Sequence, residues 1–327
     1  MRIRGGCAIL WREQGVSQIG TSPDRRTIVS DLSLAEQRLL DELGRNLEVG
    51  GVYRAARRSR VPVTRARQIV EELEHQGALV SSATSELGGA DGVYWDRLGV
   101  DAKDRSAGLS QAVLAVHGTS ALAQEAALWL AEAGVGTILS TRSPGDGGLE
   151  PLLSSRFPAL RTRAPLRTRP DVMVTVDAHV VEPLTARRLA QEDVIHLPVV
   201  VGEVGVRIGP VLGGDGLCST CLNLWEKDAD PCWPALATQM RTLSMPDVEH
   251  LVLHEAAALT ARAVIDTLLG RRALPFDVAA GDVDHVSGPA ERSAAWWATH
   301  SVEVTGQEPL GRQRSWKRHP ECLCSQL

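Results

Sequence analysis

Two tight cysteine pairs, Cys218-x-x-Cys221 and Cys322-x-Cys324, constrain this chain more than any other feature in it. Cysteines two or three positions apart can place two thiolates on one metal ion, and two such pairs complete a tetrahedral zinc site. Most of a domain separates the pairs, and the second lies near the end of the sequence. A shared metal would therefore tie that end back onto the middle of a fold. The expectation is one structural zinc per chain, held by Cys218, Cys221, Cys322 and Cys324. Cys7 and Cys232 lie outside the pairs and read as buried small apolar residues.

At 327 residues the chain has length for two domains. Its content of 43% hydrophobic and 23% charged residues is that of an ordinary soluble globular protein. No apolar run approaches the roughly 20 residues that cross a bilayer, and no charged-then-apolar targeting signal is evident. The expected location is the cytoplasm, where clustered cysteines bind metal more often than they form disulfides. A net charge of -5 gives no global attraction for nucleic acid, which is not an expected partner. The lysines are Lys103, Lys227 and Lys317, and arginine supplies the other basic residues.

Residues 1–80 read as a small α+β domain. Cys7–Arg12, Val16–Ile19 and Thr27–Val29 are short apolar or alternating runs separated by turn residues, hence three strands. Ser33-Leu-Ala-Glu36 is a capping box that opens a helix with Leu34, Leu39, Leu40 and Leu43 in its stripe and Gly44 at its end. Two further helices are expected near Val49–Ser59 and Val63–Gln76, split by Val61-Pro62 and stopped by Gly77. Residues 81–110 are rich in Ser, Gly and Asp and read as a linker, with Tyr94 and Trp95 as anchors.

Residues 111–327 read as a doubly wound α/β domain. Ala112–Val116 and Asp171–Val176 are continuous apolar runs suited to buried parallel strands. Thr137–Ser140, Ile195–Val201 and Val206–Leu212 are further strands. Helices are expected over Ser120–Ala133, Leu184–Gln191 and 247–269, and Ser301–Val304 is a late strand.

Sheets of this kind bind nucleotides at the first strand-to-helix turn. Here that turn is Gly118-Thr-Ser120-Ala-Leu-Ala123. A G-x-G-x-x-G fingerprint would need glycine where Ser120 stands, although Ala123 is tolerated in the third slot. Thr141-Arg142-Ser143 offers no acidic residue for a ribose, and no lysine lies between Lys103 and Lys227 to reach a phosphate. Gly118 and Asp177 are the remaining candidates for a degenerate nucleotide site. Asp177 sits at the carboxyl edge of the sheet, though a capping aspartate would look the same. ATP and magnesium are therefore not expected, and no catalytic residue is assigned.

Other features are weaker. His254-Glu255 begins an H-E-x-x-H pattern that fails at Ala258. His319, three residues before Cys322, is either a substitute ligand or a neighbour that supports one. Arg54, Arg57, Arg58, Arg60, Arg65 and Arg67 crowd the second and third helices. With Ala78–Val80 as a further strand, that arrangement fits a winged helix reading DNA, a solvated basic face, or a surface for an acidic peptide.

Ala112–Ser140, Asp171–Val176, His196–Val201, Gly209-Pro-Val211, Cys218-Ser-Thr-Cys221 and His319–Cys324 follow one another as in the ThiF-type, ubiquitin-activating-enzyme-like fold, which the chain resembles. Residues 7–80 resemble the PqqD-like element that grips the leader of a ribosomally made peptide. Together they resemble leader-binding partners of cyclodehydratases that make azole-modified peptides. The resemblance implies a homodimer with a Rossmann-like domain, a structural zinc, and a precursor peptide and modifying enzyme as partners. It also implies adenylation of a C-terminal carboxylate in active members, with Gly118 in the glycine loop and Asp177 near the metal. The departures at Ser120, Thr141–Ser143 and the lysines argue that this chain has kept the scaffold without the catalysis. An adenylating enzyme and a winged-helix DNA regulator are the alternatives.

Overall fold

The computed structural model describes residues 2–44, 51–80, 89–141, 148–214, 216–273 and 289–325. The chain divides into two compact units, Met1–Ala107 and Gly108–Leu327.

In the first unit, strands β1 (Arg2–Ile3), β2 (Ile9–Glu13), β3 (Val16–Ile19) and β4 (Thr27–Val29) precede helices α1 (Leu34–Leu43), α2 (Gly51–Ser59) and α3 (Val63–His75). Strand β5 (Leu79–Val80) returns to pair antiparallel with β1, and β2-β3-β4 form an antiparallel meander. The capping box is present: Ser33 Oγ accepts from the Glu36 amide at 3.3 Å, and a Glu36 carboxylate oxygen accepts from the Ser33 amide at 2.6 Å. Leu39, Leu40 and Leu43 are fully buried, but Leu34, expected in the same stripe, is exposed. Gln37 is buried in its place, because its side-chain amide donates to the carbonyls of Glu13 and Val16 and so ties α1 to the β2–β3 hairpin. Ala66, Ile69, Val70 and Leu73 bury one face of α3 at helical spacing. The chain leaves that helix at Gly77 with φ +69°, a conformation glycine adopts freely.

Over 81–110, where the sequence suggests a linker, the part described from residue 89 is helical: α4 (Ala90–Arg97) and α5 (Ala102–Gln111). Asp96 anchors α4, and of the two aromatics Trp95 is half-buried with the Arg105 guanidinium 4.2 Å from its ring. The Asp96 carboxylate is buried against Arg2, with an Nη2–Oδ1 distance of 3.0 Å, and also accepts from the Gly5 amide. Arg97 donates to the Gly5 carbonyl at 2.9 Å, whereas Tyr94 is exposed. A buried acid paired across the fold leaves no signal in local composition.

The second unit runs β6 (Val113–His117), α6 (Ala121–Glu132), β7 (Thr137–Thr141), α7 (Glu150–Arg156), β8 (Val172–Ala178), α8 (Pro183–Gln191), β9 (Ile195–Val201) and β10 (Gly205–Ile208). It continues through α9 (Ser219–Ala229), α10 (Trp233–Met240), α11 (His250–Ala273), α12 (Pro289–Thr299), β11 (His300–Thr305) and β12 (Glu308–Ser315). The sheet order is β12-β11-β10-β9-β8-β6-β7. Strands β9, β8, β6 and β7 are parallel, and β10 to β12 extend the sheet antiparallel. This is a Rossmann-like doubly wound sheet with an antiparallel wing.

Strand alternation sorts the side chains between the two faces. Val116, Val174, Leu197, Ile208 and Val304 belong to the large core, packed with α6 and α11. Alanines 123, 127 and 256 are fully buried there, so those two helices approach closely. On the other face Ala115 and Met173 pack with Leu189 of α8 and Val194. The strand order reverses beside β6, so the crevice at the carboxyl ends of β6 and β8 is where such sheets place ligands.

Candidate metal centre and neighbouring sites

Cys218 is the N-cap of α9 in extended conformation, and Cys221 lies in that helix's first turn. The positive end of the helix dipole favours thiolates there. Cys322 and Cys324 approach from the tail, where Leu323–Ser325 form one 3₁₀ turn. The Sγ atoms lie 3.7 Å apart for Cys218–Cys221, 3.5 Å for Cys218–Cys322 and 3.6 Å for Cys221–Cys324, and all four fall within 4.8 Å of one another. Four sulfurs around one zinc at about 2.3 Å stand about 3.8 Å apart. The cluster can hold a metal ion, and its spacing fits a tetrahedral one.

Titration agrees with that fit. Burial pushes the Cys221 thiol up, but the amides of His319 and Cys218 and the neighbouring thiols outweigh it and hold Cys221 below its ordinary range. Cys322 is pushed up to about 11, first by burial, and Cys324 is pushed further in the same direction. Those two therefore stay protonated while no cation is bound, and a divalent metal would favour their thiolate forms.

The surroundings are built to hold the tail in place. Leu212, Leu217, Leu222 and Trp316 pack with the cysteines. Trp316 donates to Ser301 Oγ at 2.8 Å and carries the Arg314 guanidinium 3.8 Å above its ring. Arg314 and Arg207 share the Glu226 carboxylate. His319 is buried and its amide donates to Cys221 Sγ at 3.5 Å. Its ring is committed elsewhere: Nδ1 accepts from the Glu321 amide at 3.1 Å, and Nε2 donates to Asp228 at 2.9 Å. His319 therefore supports a ligand and is not one. Of the two other cysteines, Cys7 is half-buried and Cys232 is exposed, which corrects the expectation that both are buried. Cys232 precedes α10, a helix with no buried residue.

Gly118 follows β6 directly and Asp177 lies near the end of the neighbouring β8. Gly118 has φ +126°, and a Cβ there would meet the Val176 Cβ at 3.3 Å. Both the conformation and the close approach require glycine. Ser120 is the N-cap of α6, and its Oγ accepts from the Ala123 amide at 3.3 Å. A donor that would otherwise face a phosphate at this helix N-terminus is thus used internally.

Asp177 lies within β8, one residue from its end, and not beyond it. Its Oδ2 accepts from Thr175 Oγ1 at 2.8 Å and from the Glu182 amide at 3.4 Å. Burial raises its pKa despite these bonds and nearby His117. Thr175 Oγ1 in turn meets His196 Nε2 at 2.9 Å. Since the threonine hydroxyl donates to Asp177, His196 donates from Nε2, and its buried Nδ1 has no partner among the described residues. Burial lowers the His196 pKa to about 4, so the ring is neutral. The sequence reading missed Thr175 and His196; the signal was a polar residue on each of two apolar strands. Residues 142–147, expected to lack a ribose contact, lie outside the described residues.

The remaining candidates separate cleanly. His254 is half-exposed, 3.9 Å from Glu125, on the surface of α11. In the first unit, Arg65 pairs with Glu36 and Arg58 with Glu42. Arg57, Arg60 and Arg67 are exposed and have no ion-pair partner among the described residues. The exposed face of α3 also carries Glu71, Glu72 and Glu74, which would oppose a phosphate backbone. The β2-β3-β4 meander has two edges. The β2 edge holds a bulge at Trp11–Glu13, and Trp11 donates to Asp41 of α1. The β4 edge follows Arg25 and Arg26 and exposes Ile28. No described helix is long and apolar enough to cross a membrane.

No family model matches the sequence, and no curated protein matches it. Solved structures match it along its length. E. coli MccB with selenomethionine MccA is 12% identical, with a TM-score of 0.63 over 99% of this chain and 98% of that one. E. coli MccB with ATP is 13% identical, with a TM-score of 0.60 over 98% of each chain. A heterocyclase in complex with substrate and cofactor is 13% identical, with a TM-score of 0.66 over 98% of this chain and 39% of that chain. At these identities the likeness is one of fold, and it extends over both units.

Proposed function

We propose that this chain is a zinc-clasped, ThiF-like protein that binds the leader of a precursor peptide and presents it to a partner modifying enzyme, without adenylating it. The observation that carries the proposal is that Ser120 caps the Ala123 amide and that Thr175 and the Glu182 amide occupy Asp177 at the end where a nucleotide would bind, on a fold this chain shares along its length with a microcin biosynthetic enzyme. MccB is described as a microcin C7 biosynthetic enzyme in complex with N-formylated MccA. The heterocyclase match, over 39% of that chain, supports the need for a partner: a stand-alone copy of this fold would obtain the remaining functions from another protein.

The first unit supplies the docking edge in this reading. A leader pairs as an added strand along β4, where backbone hydrogen bonds give affinity and side-chain pockets give selection. Val29 faces the core and Ile28 faces out, so the added strand meets Ile28 on the solvent side and Arg25 and Arg26 at its end. Acidic leader residues suit those guanidinium groups. Cys218, Cys221, Cys322 and Cys324 hold one zinc, which fixes the tail and performs no chemistry. The proposal includes a cytoplasmic location and a homodimer. Amide hydrogen exchange with and without leader peptide tests the docking edge: Thr27–Val29 should gain protection, and protection confined to β2 or to the second unit would reject it.

The match to MccB with ATP supports a second reading, residual adenylation of a peptide carboxylate. Pyrophosphate exchange that depends on both ATP and peptide would establish it.

A further inference from the structure

The second unit carries a cavity at the end of the sheet opposite Gly118 and Asp177. It has a volume of about 480 Å³ and opens to solvent beside the amino ends of β6 and β7, where Ser110 and Gly134–Gly136 lead into those strands. That volume falls within the roughly 300–1,000 Å³ of small-ligand sites. Its walls are fixed by the fold. The chain after α7 returns to the sheet, where the Arg161 amide donates to the Gly136 carbonyl at 3.2 Å and the Arg161 carbonyl accepts from the Ile138 amide at 2.9 Å. Phe157 and Leu160, in the same stretch, pack on the large core. A Cβ at Gly136 would collide with the Ser110 carbonyl, so only glycine lets the floor close. The cavity is therefore preformed.

We propose that this cavity binds an organic carboxylate with an apolar body. Val135, Phe157, Pro158 and Leu160 supply apolar surface, and Arg156 and Arg161 supply charge. No carboxylate among the described residues lines it. Arg161 donates from Nε to Thr137 Oγ1 at 2.9 Å and from Nη2 to the Ser110 carbonyl at 3.3 Å. Those bonds hold the guanidinium in place and leave Nη1 without a partner among the described residues. Arg156, exposed at the end of α7, has its guanidinium 5.9 Å from the centre of the Phe157 ring and no ion-pair partner among the described residues. Arg163 and Arg169, in the chain that follows, each hold a carboxylate, Glu150 and Asp193. The two arginines at the cavity do not. Two guanidinium groups beside apolar walls match a ligand with one anionic end, and their planar fork is shaped for a carboxylate. An arginine that offsets the carbonyl end of a helix dipole would account for Arg156 alone, and for neither the cavity nor Arg161.

Calorimetric titration of the full chain with indole-3-acetate, and with the neutral indole-3-acetamide of the same shape, tests the proposal. The acid should bind one-to-one and about tenfold more tightly than the amide, the margin that a charge-assisted hydrogen bond supplies. Arg156→Gln should remove most of that margin by weakening the acid alone, with Tm unchanged; a purely structural role at the helix end would move Tm and not the margin. Ala159→Trp, which fills the cavity from an exposed position on its wall, should abolish saturable binding of both compounds with unchanged circular dichroism. No saturable binding to the wild type, equal affinity for acid and amide, or a margin that survives Arg156→Gln would each overturn the proposal. Leader binding is measured separately, so failure here leaves the peptide proposal standing.

Discussion

Replacing Cys221 by serine removes the ligand at the centre of the clasp, a fully buried thiol with sulfurs 3.7 and 3.6 Å away and the His319 amide directed at it. Structural zinc contributes about 10–16 kcal/mol of apparent binding energy in small zinc sites, so a variant that no longer holds the metal loses at least the share of one ligand in four, about 2.5–4 kcal/mol. In a unit of this size each kcal/mol moves Tm by about 2–4 °C, which gives a fall of about 5–15 °C. A buried serine hydroxyl costs about 1–3 kcal/mol by itself, so the variant alone does not separate metal from packing. Calorimetry of both proteins with and without chelator does. The wild type should contain one zinc and fall in Tm by at least that much on chelation. Cys221→Ser should contain little metal and respond little to chelator. Cys232→Ser, at an exposed cysteine outside the cluster, should match the wild type in both. Equal Tm for wild type with and without chelator would refute the clasp, as would full metal content in Cys221→Ser.

Three further outcomes follow from the same geometry. Burial raises the Asp177 pKa, so the unfolded chain ionises first as pH rises above the ordinary carboxylate range of about 3.9, and stability falls across that window. Asp177→Asn should therefore be more stable than wild type at pH 7, with the gain shrinking toward pH 3; denaturant melts showing a pH-independent difference would contradict this. In the first unit burial pushes Asp96 up, but Arg2 and the Gly5 amide outweigh it and hold the carboxyl below its ordinary range. That stabilisation is present above about pH 3.9 and is lost as pH falls through the depressed value. Asp96→Ala strands Arg2 in the interior and should cost about 3–5 kcal/mol, measured by denaturant melts.

Parts of this structure were legible in residues close together in sequence. Ser33 and Glu36 name their own helix start, and each cysteine pair names itself as half of a ligand set, because each relation spans two or three positions. The first turn of the sheet was legible for the same reason: the glycine that φ +126° requires and the serine that caps α6 sit two residues apart. What escaped depends on partners remote in sequence. Gln37 displaces Leu34 from the core because the β2–β3 hairpin offers it carbonyls. Asp96 ties α4 down because Arg2 waits at the other end of the unit. Strand β12, Glu308–Ser315, is a polar edge strand with little alternation to read, and its place is set by pairing with β11. Thr175 and His196 lie on separate strands, and only the sheet register brings them to Asp177.

The central claim is peptide capture without adenylation. Isothermal titration of the full, zinc-loaded chain with the leader of a precursor peptide encoded beside it tests that most directly, alongside pyrophosphate exchange on the same sample. Binding should be saturable, one-to-one and unaltered by ATP, with no exchange above background. Absence of binding with the partner enzyme either present or absent, or exchange that requires both ATP and peptide, would contradict it.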